Sequence, residues 1–269
     1  MKFDAVKSIV KRNGFLKTHA LALTRSRHPV ANILHLSRNL IFSRVFSRTL
    51  VSYERLLNAY ELAWTVEREK LDGAYVECGV WRGGVAALIA LVAQRAGNER
   101  KTHLFDSFEG LPRPTTEDKY QAHGYQLRQS DNDLTPIKLY EASMEDVMDF
   151  CFNQLNLDPT RVIFHKGWFE QSLLQARSEI GPIALLRIDA DWYKSVRVCL
   201  EELYPQVVEG GYVILDDLGL YPGCNYALEE YCRRNGLNLE IHPIEVGIGG
   251  WFRKPKLQPQ AESNSPGAR

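Results

Sequence analysis

Two acidic pairs, Asp189-Ala190-Asp191 and Asp216-Asp217, are the residues of this sequence best placed to do chemistry. Each follows an apolar run that reads as a buried strand, Ile183 to Ile188 before the first and Tyr212 to Leu215 before the second. In an open parallel sheet the C-terminal strand ends form the rim at which ligands bind. A carboxylate there must be solvated, paired or bound to a cation, because desolvating it alone costs several kcal/mol. Two strands that deliver carboxylates to one rim point to a divalent-metal site, and therefore to an enzyme. Adjacent acids at a strand end also cap helices and form turns, so the pairs need support from elsewhere in the chain. Asp191 fits a bracing or solvent-facing role better than that of a ligand.

A second constellation supplies that support. The apolar run starting at Ala74 leads into Glu77-Cys78-Gly79-Val80-Trp81-Arg82-Gly83-Gly84. Glycines at the first strand-to-helix turn let the backbone turn tightly and approach a ligand closely. The pattern is neither the GxGxxG of dinucleotide binders nor a phosphate loop ending in GK[ST]. The next strand ends Leu104-Phe105-Asp106-Ser107, where an acid can accept hydrogen bonds from both hydroxyls of a ribose. Asp106 could equally serve as a helix cap. A glycine turn without triphosphate apparatus, followed by this acid, favours a cofactor that carries adenosine but no phosphates, which points to S-adenosylmethionine.

The elements that must position these groups alternate regularly. Helix 53–70 precedes strand 74–77, helix 84–96 and strand 101–105; helix 143–155, strand 161–165 and helix 168–178 follow. Strand 183–188, helix 194–207, strand 212–215 and helix 223–235 continue the rhythm, and 239–244 with 250–253 read as a closing pair of strands. This βα alternation predicts an α/β fold, a mostly parallel sheet with helices on both faces and an antiparallel strand at the C-terminal edge. Residues 51–256 form the expected catalytic domain. Residues 112–142, rich in Pro, Thr, Asp and Gln, are too long for an ordinary connection and read as a substrate lid. Residues 257–269 read as a disordered tail.

Residues 1–50 read as a basic helical extension, with ten Lys/Arg against a single acid, Asp4. It suits packing on the core or on a partner subunit, or peripheral contact with anionic lipid. The whole chain of 269 residues has a formal net charge of zero, which does not advertise a nucleic-acid partner. Its five cysteines, Cys78, Cys151, Cys199, Cys224 and Cys232, show no CxxC spacing, arguing against a disulfide framework and a zinc site. No apolar stretch approaches the ~20 residues needed to span a bilayer. A cytoplasmic protein is expected. His103 and His165 sit inside predicted strands, where a satisfied histidine is the commoner outcome than a catalytic one.

Four motifs in order carry a family likeness. The Glu77–Gly84 run, Phe105-Asp106-Ser107-Phe108-Glu109-Gly110-Leu111-Pro112, Leu186-Arg187-Ile188-Asp189-Ala190-Asp191-Trp192-Tyr193-Lys194-Ser195 and Gly210-Gly211-Tyr212-Val213-Ile214-Leu215-Asp216-Asp217 resemble the TylF/MycF-type macrocin O-methyltransferases. The likeness spans about residues 50–254. It implies a Rossmann-like class I methyltransferase that uses S-adenosylmethionine and Mg²⁺, with Mn²⁺ a possible substitute, to methylate a sugar hydroxyl. It also implies a cofactor site of Glu77, Gly79, Gly83, Asp106 and Ser107, joined by Gly167, Trp168 and Ser143. Asp189, Asp216 and Asp217 match the family's metal ligands, and Asp189 its general base. The expected acceptor is a glycoside, glycolipid or polysaccharide, and the expected assembly a homodimer. The same carboxylates would serve a catechol-like phenol, and a binding protein that kept the fold without turnover is the alternative from outside enzymology.

Overall fold

The computed structural model describes residues 35–118, 121–122, 125–126, 130 and 133–256. Most of the expected basic extension (1–34) and the expected tail (257–269) lie outside the described residues.

Helix α1 (Leu36–Val45) leads by a short turn to α2 (Tyr53–Glu69). Ser52 caps α2 by accepting from the Arg55 N–H at 3.2 Å. Tyr53, Leu56, Ala59, Leu62, Ala63 and Val66 recur at helical spacing and are buried. Then come β1 (Ala74–Cys78), α3 (Gly84–Ala96), β2 (Thr102–Asp106), the short strands β3 (Gln121–Ala122) and β4 (Tyr125–Gln126), α4 (Met144–Asp149), β5 (Val162–Lys166) and α5 (Phe169–Ile180). The chain ends with β6 (Ile183–Ile188), α6 (Tyr193–Leu203), β7 (Val207–Leu215), α7 (Pro222–Asn235), β8 (His242–Glu245) and β9 (Ile248–Arg253).

Seven strands form one sheet in the order β5-β2-β1-β6-β7-β9-β8. The first five in that order run parallel, while β9 is antiparallel to β7 and β8 to β9. Every residue of β1 and β6 is buried, as strands covered on both faces must be. One core cluster joins Tyr75, Leu104, Leu185 and Ile214 to α2 and α3; the other joins Val76, Phe105, Leu186 and Val213 to α5, α6 and α7. The strand order reverses between β1 and β6, which opens a crevice at their C-terminal ends. Gly79 closes that junction: its φ is +87°, and a Cβ there would stand 1.7 Å from the Asp189 carbonyl oxygen.

The predicted elements appear with two informative differences. Strand β7 begins at Val207 rather than 212, because β9 and its extension recruit the backbone around Gly210-Gly211: Gly210 N donates to Lys254 O and Lys254 N to Gly211 O. That pairing is made by backbone, so side-chain patterning does not announce it. The segment expected to act as a lid is tied down in its described parts. Leu111 N donates to Leu139 O and Ile137 N to Leu111 O, joining its two ends. Trp192 Nε1 donates to Pro112 O, and buried Asp118 accepts from the Tyr193 N–H at the start of α6 at 2.6 Å.

His103 and His165, on adjacent strands, face one another with Nδ1 and Nε2 3.0 Å apart and stacked rings. Burial lowers both pKa values, His103 to about 4. His103 Nε2 is buried with no hydrogen-bond partner among the described residues, so protonation finds nothing to offset it. A histidine whose folded pKa is depressed contributes stability above its unfolded value near 6.5 and loses it as pH falls toward 4. The share of stability that His103 contributes should therefore fall by on the order of 3 kcal/mol between pH 6.5 and 4. His103→Phe should flatten that part of a calorimetric pH series; an unchanged slope would contradict the assignment.

Candidate active site

Alternation along the strands places Glu77, Arg187, Asp189 and Asp216 toward the same side of the sheet, the side that α2 and α3 cover. Glu77 and Arg187 are register partners across β1 and β6. Arg187 is 2% exposed and lies among three carboxylates: Nη1 is 2.5 Å from Glu77 Oε1, and Nη2 is 2.9 Å from Asp189 Oδ2 and 2.7 Å from Asp216 Oδ1. Their charges outweigh the cost of burial and hold the guanidinium charged. The other oxygen of Asp216 is 2.5 Å from Arg55 Nη1, which arrives from α2.

One carboxylate oxygen each from Asp189, Asp191 and Asp217 lie within 4.8 Å of one another. Asp191 enters this cluster because its backbone turns back with φ +56°, a conformation that aspartate tolerates better than most residues. Its N–H donates to Asp217 Oδ2 at 2.9 Å. Burial and then the neighbouring carboxylates raise the pKa values of Asp191 and Asp217; burial also raises Asp189, against the pull of Arg187. Hard oxygen donors gathered at a buried point, short of positive charge, fit a divalent cation such as Mg²⁺.

Beside the cluster the crevice widens into a cleft. Glu77, Gly79, Asp106, Ser107, Gly167, Trp168, Asp189, Asp216 and Asp217, all singled out in the sequence, line it. Glu77 keeps Oε2 buried and without a hydrogen-bond partner among the described residues, and burial pushes its pKa up to about 8, against Arg187. Asp106 shapes the turn: Oδ2 accepts from the Val80 and Trp81 N–H groups at 2.7 and 2.9 Å, and Oδ1 from Phe108 at 2.7 Å. Burial raises its pKa against those three donors. A carboxylate has about four lone-pair positions, so one remains on Oδ1 for a ligand.

Gly83 and Ser143 fall outside the lining. Gly83 caps α3 with φ +84°, where a Cβ would stand 2.6 Å from Val147. Ser143 caps α4 by accepting from Asp146 N. The opposite wall, missed in the sequence, comes from Thr49, Leu50, Val51 and Arg55 before and in α2, and from Leu220 and Tyr221 after β7. Arg187, a lone charge inside a strand-like apolar run, was a signal available in the sequence; the far wall left none.

The sequence profile of the macrocin O-methyltransferase (TylF) family matches residues 38–254. The chain belongs to that family. It is 31% identical over 209 residues to a rhamnosyl-tetracenomycin-C 4′-O-methyltransferase of Streptomyces olivaceus, covering 77% of this chain and 76% of the relative. It is 30% identical over 209 residues to the mycinamicin III 3″-O-methyltransferase of Micromonospora griseorubida, covering 77% and 79%. Among solved structures it resembles the O-methyltransferase NovP, with a TM-score of 0.66, 32% identity, and coverage of 78% of this chain and 83% of that one. As a TylF-family protein it is a Rossmann-like, S-adenosylmethionine-dependent O-methyltransferase.

Removing the Asp106 carboxylate leaves three backbone N–H groups unpaired, at about 1–3 kcal/mol for each buried group that finds no water. Asp106→Ala should weaken binding of S-adenosylhomocysteine at least tenfold by calorimetric titration, with the fold retained by circular dichroism. Unchanged affinity would separate Asp106 from the cofactor site.

Proposed function

We propose that this TylF-family enzyme transfers the methyl group of S-adenosylmethionine to a hydroxyl of a sugar, with Mg²⁺ held at the acidic cluster. The observation that carries this reading is the convergence of Asp189, Asp191 and Asp217 in the same cleft that Glu77, Gly79 and Asp106 line. The named relatives support the acceptor class: one acts on a rhamnosyl-tetracenomycin and another on mycinamicin III.

Methyl transfer from a sulfonium needs little help at the leaving group, which departs as a neutral thioether. The obstacle is the nucleophile, because a sugar hydroxyl is almost wholly protonated at neutral pH. A divalent cation, when bound, lowers the pKa of such a hydroxyl. Asp189 and Asp217 would hold that cation; Asp191 adds a third oxygen, and Asp216 is the further candidate that the family likeness names. Asp189 is the only member of this acidic group whose side chain is more than a quarter exposed to the cleft, which suits it to take the hydroxyl proton. Glu77 Oε2 would accept a hydrogen bond from the cofactor's ammonium, and Gly167 and Trp168 would hold its nucleoside. Holding donor and acceptor near attack distance supplies much of the remaining acceleration. The described ends of the 112–142 segment, Pro112 and Tyr140 among them, serve as a wall on the acceptor side, and Leu50 and Leu220, both exposed, stand at the mouth.

Loss of a general base costs roughly 10²–10⁴ in rate. Asp189→Ala should lower kcat by that factor on a rhamnoside acceptor, while its affinity for S-adenosylhomocysteine changes less than threefold. A wild type that binds the cofactor but methylates no glycoside, yet methylates a catechol, would overturn the sugar assignment.

A further inference from the structure

Asp216, the further candidate ligand of the proposed cation site, stands in a geometry that makes its part testable. Both carboxylate oxygens of Asp216 are occupied by guanidinium groups, Oδ1 by Arg187 and Oδ2 by Arg55. A cation drawn to Asp216 would stand beside both guanidinium groups, and the repulsion favours withdrawal of one of them. Arg187 is almost wholly buried and also neutralises Glu77 and Asp189, so its departure would leave three carboxylates uncompensated. Arg55 is differently placed. It lines the cleft, its side chain is 14% exposed, and it touches Asp216 through Nη1 alone.

A second acceptor waits beside it. Arg55 Nε is buried without a hydrogen-bond partner among the described residues, and Glu245 Oε2 lies 3.8 Å away. That separation is too long for a hydrogen bond and short enough to be closed by side-chain rotation. Glu245, the last residue of β8, is held in place by Ser52 Oγ at 2.7 Å, and Ser52 is itself the cap of α2. The guanidinium therefore stands one small movement from a fixed, ready carboxylate.

Resting on the metal reading above, we propose that Arg55 is a positioning residue that moves between two carboxylates: it neutralises Asp216 while the cation is absent and passes to Glu245 when the cation binds. Arg55 thereby competes with the cation, and Glu245 assists the cation by receiving Arg55. Two charge-removing substitutions on the same ion pair should then act in opposite directions. Arg55→Gln takes away the competitor, and Glu245→Gln takes away its alternative partner.

The experiment is titration of Mn²⁺ into the full chain with saturating S-adenosylhomocysteine, free Mn²⁺ being read by electron paramagnetic resonance. Arg55→Gln is expected to bind Mn²⁺ about tenfold more tightly than wild type, and Glu245→Gln several-fold more weakly. In the Arg55→Gln background, Glu245→Gln should have no further effect, because a purely through-space influence of Glu245 would persist there. Wild-type binding with both single variants weaker, or both unchanged, overturns the exchange while leaving the metal site standing. Absence of Mn²⁺ binding by the wild type, with the cofactor product still bound, overturns the metal reading and the exchange together.

Discussion

A guanidinium buried in the middle of a parallel sheet needs anions around it, and Arg187 has three. This single requirement organises the catalytic end of the fold. It keeps Glu77 on β1, the end of β6 and the end of β7 in mutual register, because each strand supplies one of the partners. It also explains how so many acids coexist at one buried point: part of their repulsion is cancelled from beneath the cleft. The remaining negative charge lies on the open side, where Asp189, Asp191 and Asp217 converge. Internal neutralisation that stops short of completion is what leaves room for a divalent cation.

The two walls of the cleft follow different physical rules. The cofactor wall is built from strand ends and the turns directly after them, so its geometry is inherited from the sheet. Asp106 shows this most clearly, since it fixes the Val80-Trp81 turn through backbone N–H groups before any ligand arrives. The far wall is assembled from parts distant in sequence: the approach to α2, the 217–221 turn and the segment beyond β2. Side-chain contacts such as Arg55 with Asp216 join the approach to α2 to the catalytic centre.

That contrast decides what the sequence revealed. Buried strands flanked by amphipathic helices leave apolar runs and periodic stripes, so β1, β2, β6 and the helix between β1 and β2 were legible almost to the residue. The acids at strand ends were legible for the same reason, since their position on the rim follows from the strand alone. Asp191 turns inward through a positive φ, a property of backbone that composition does not encode. Gly83 and Ser143, grouped with the cofactor residues by family likeness, sit at helix starts beside the cleft rather than in its lining. Arg55 was invisible for a different reason: within α2 it reads as one more charge on a polar face, and its partner lies 161 positions away.

The clasp made by Asp118 bears on how such an enzyme can diversify. One carboxylate caps α6 directly after the acidic cluster and holds the chain arriving from β2, and Gly223 is bare at that point because a Cβ would collide with it. The acceptor side is thus hung from fixed points at 111–118 and 137–139, and among the described residues between them none belongs to the acidic cluster. Descendants can rewrite that stretch, exchanging one glycosylated scaffold for another, while the methyl-transfer machinery stays untouched. Novelty in acceptor choice and constancy in chemistry are kept apart by a few hydrogen-bonded pins.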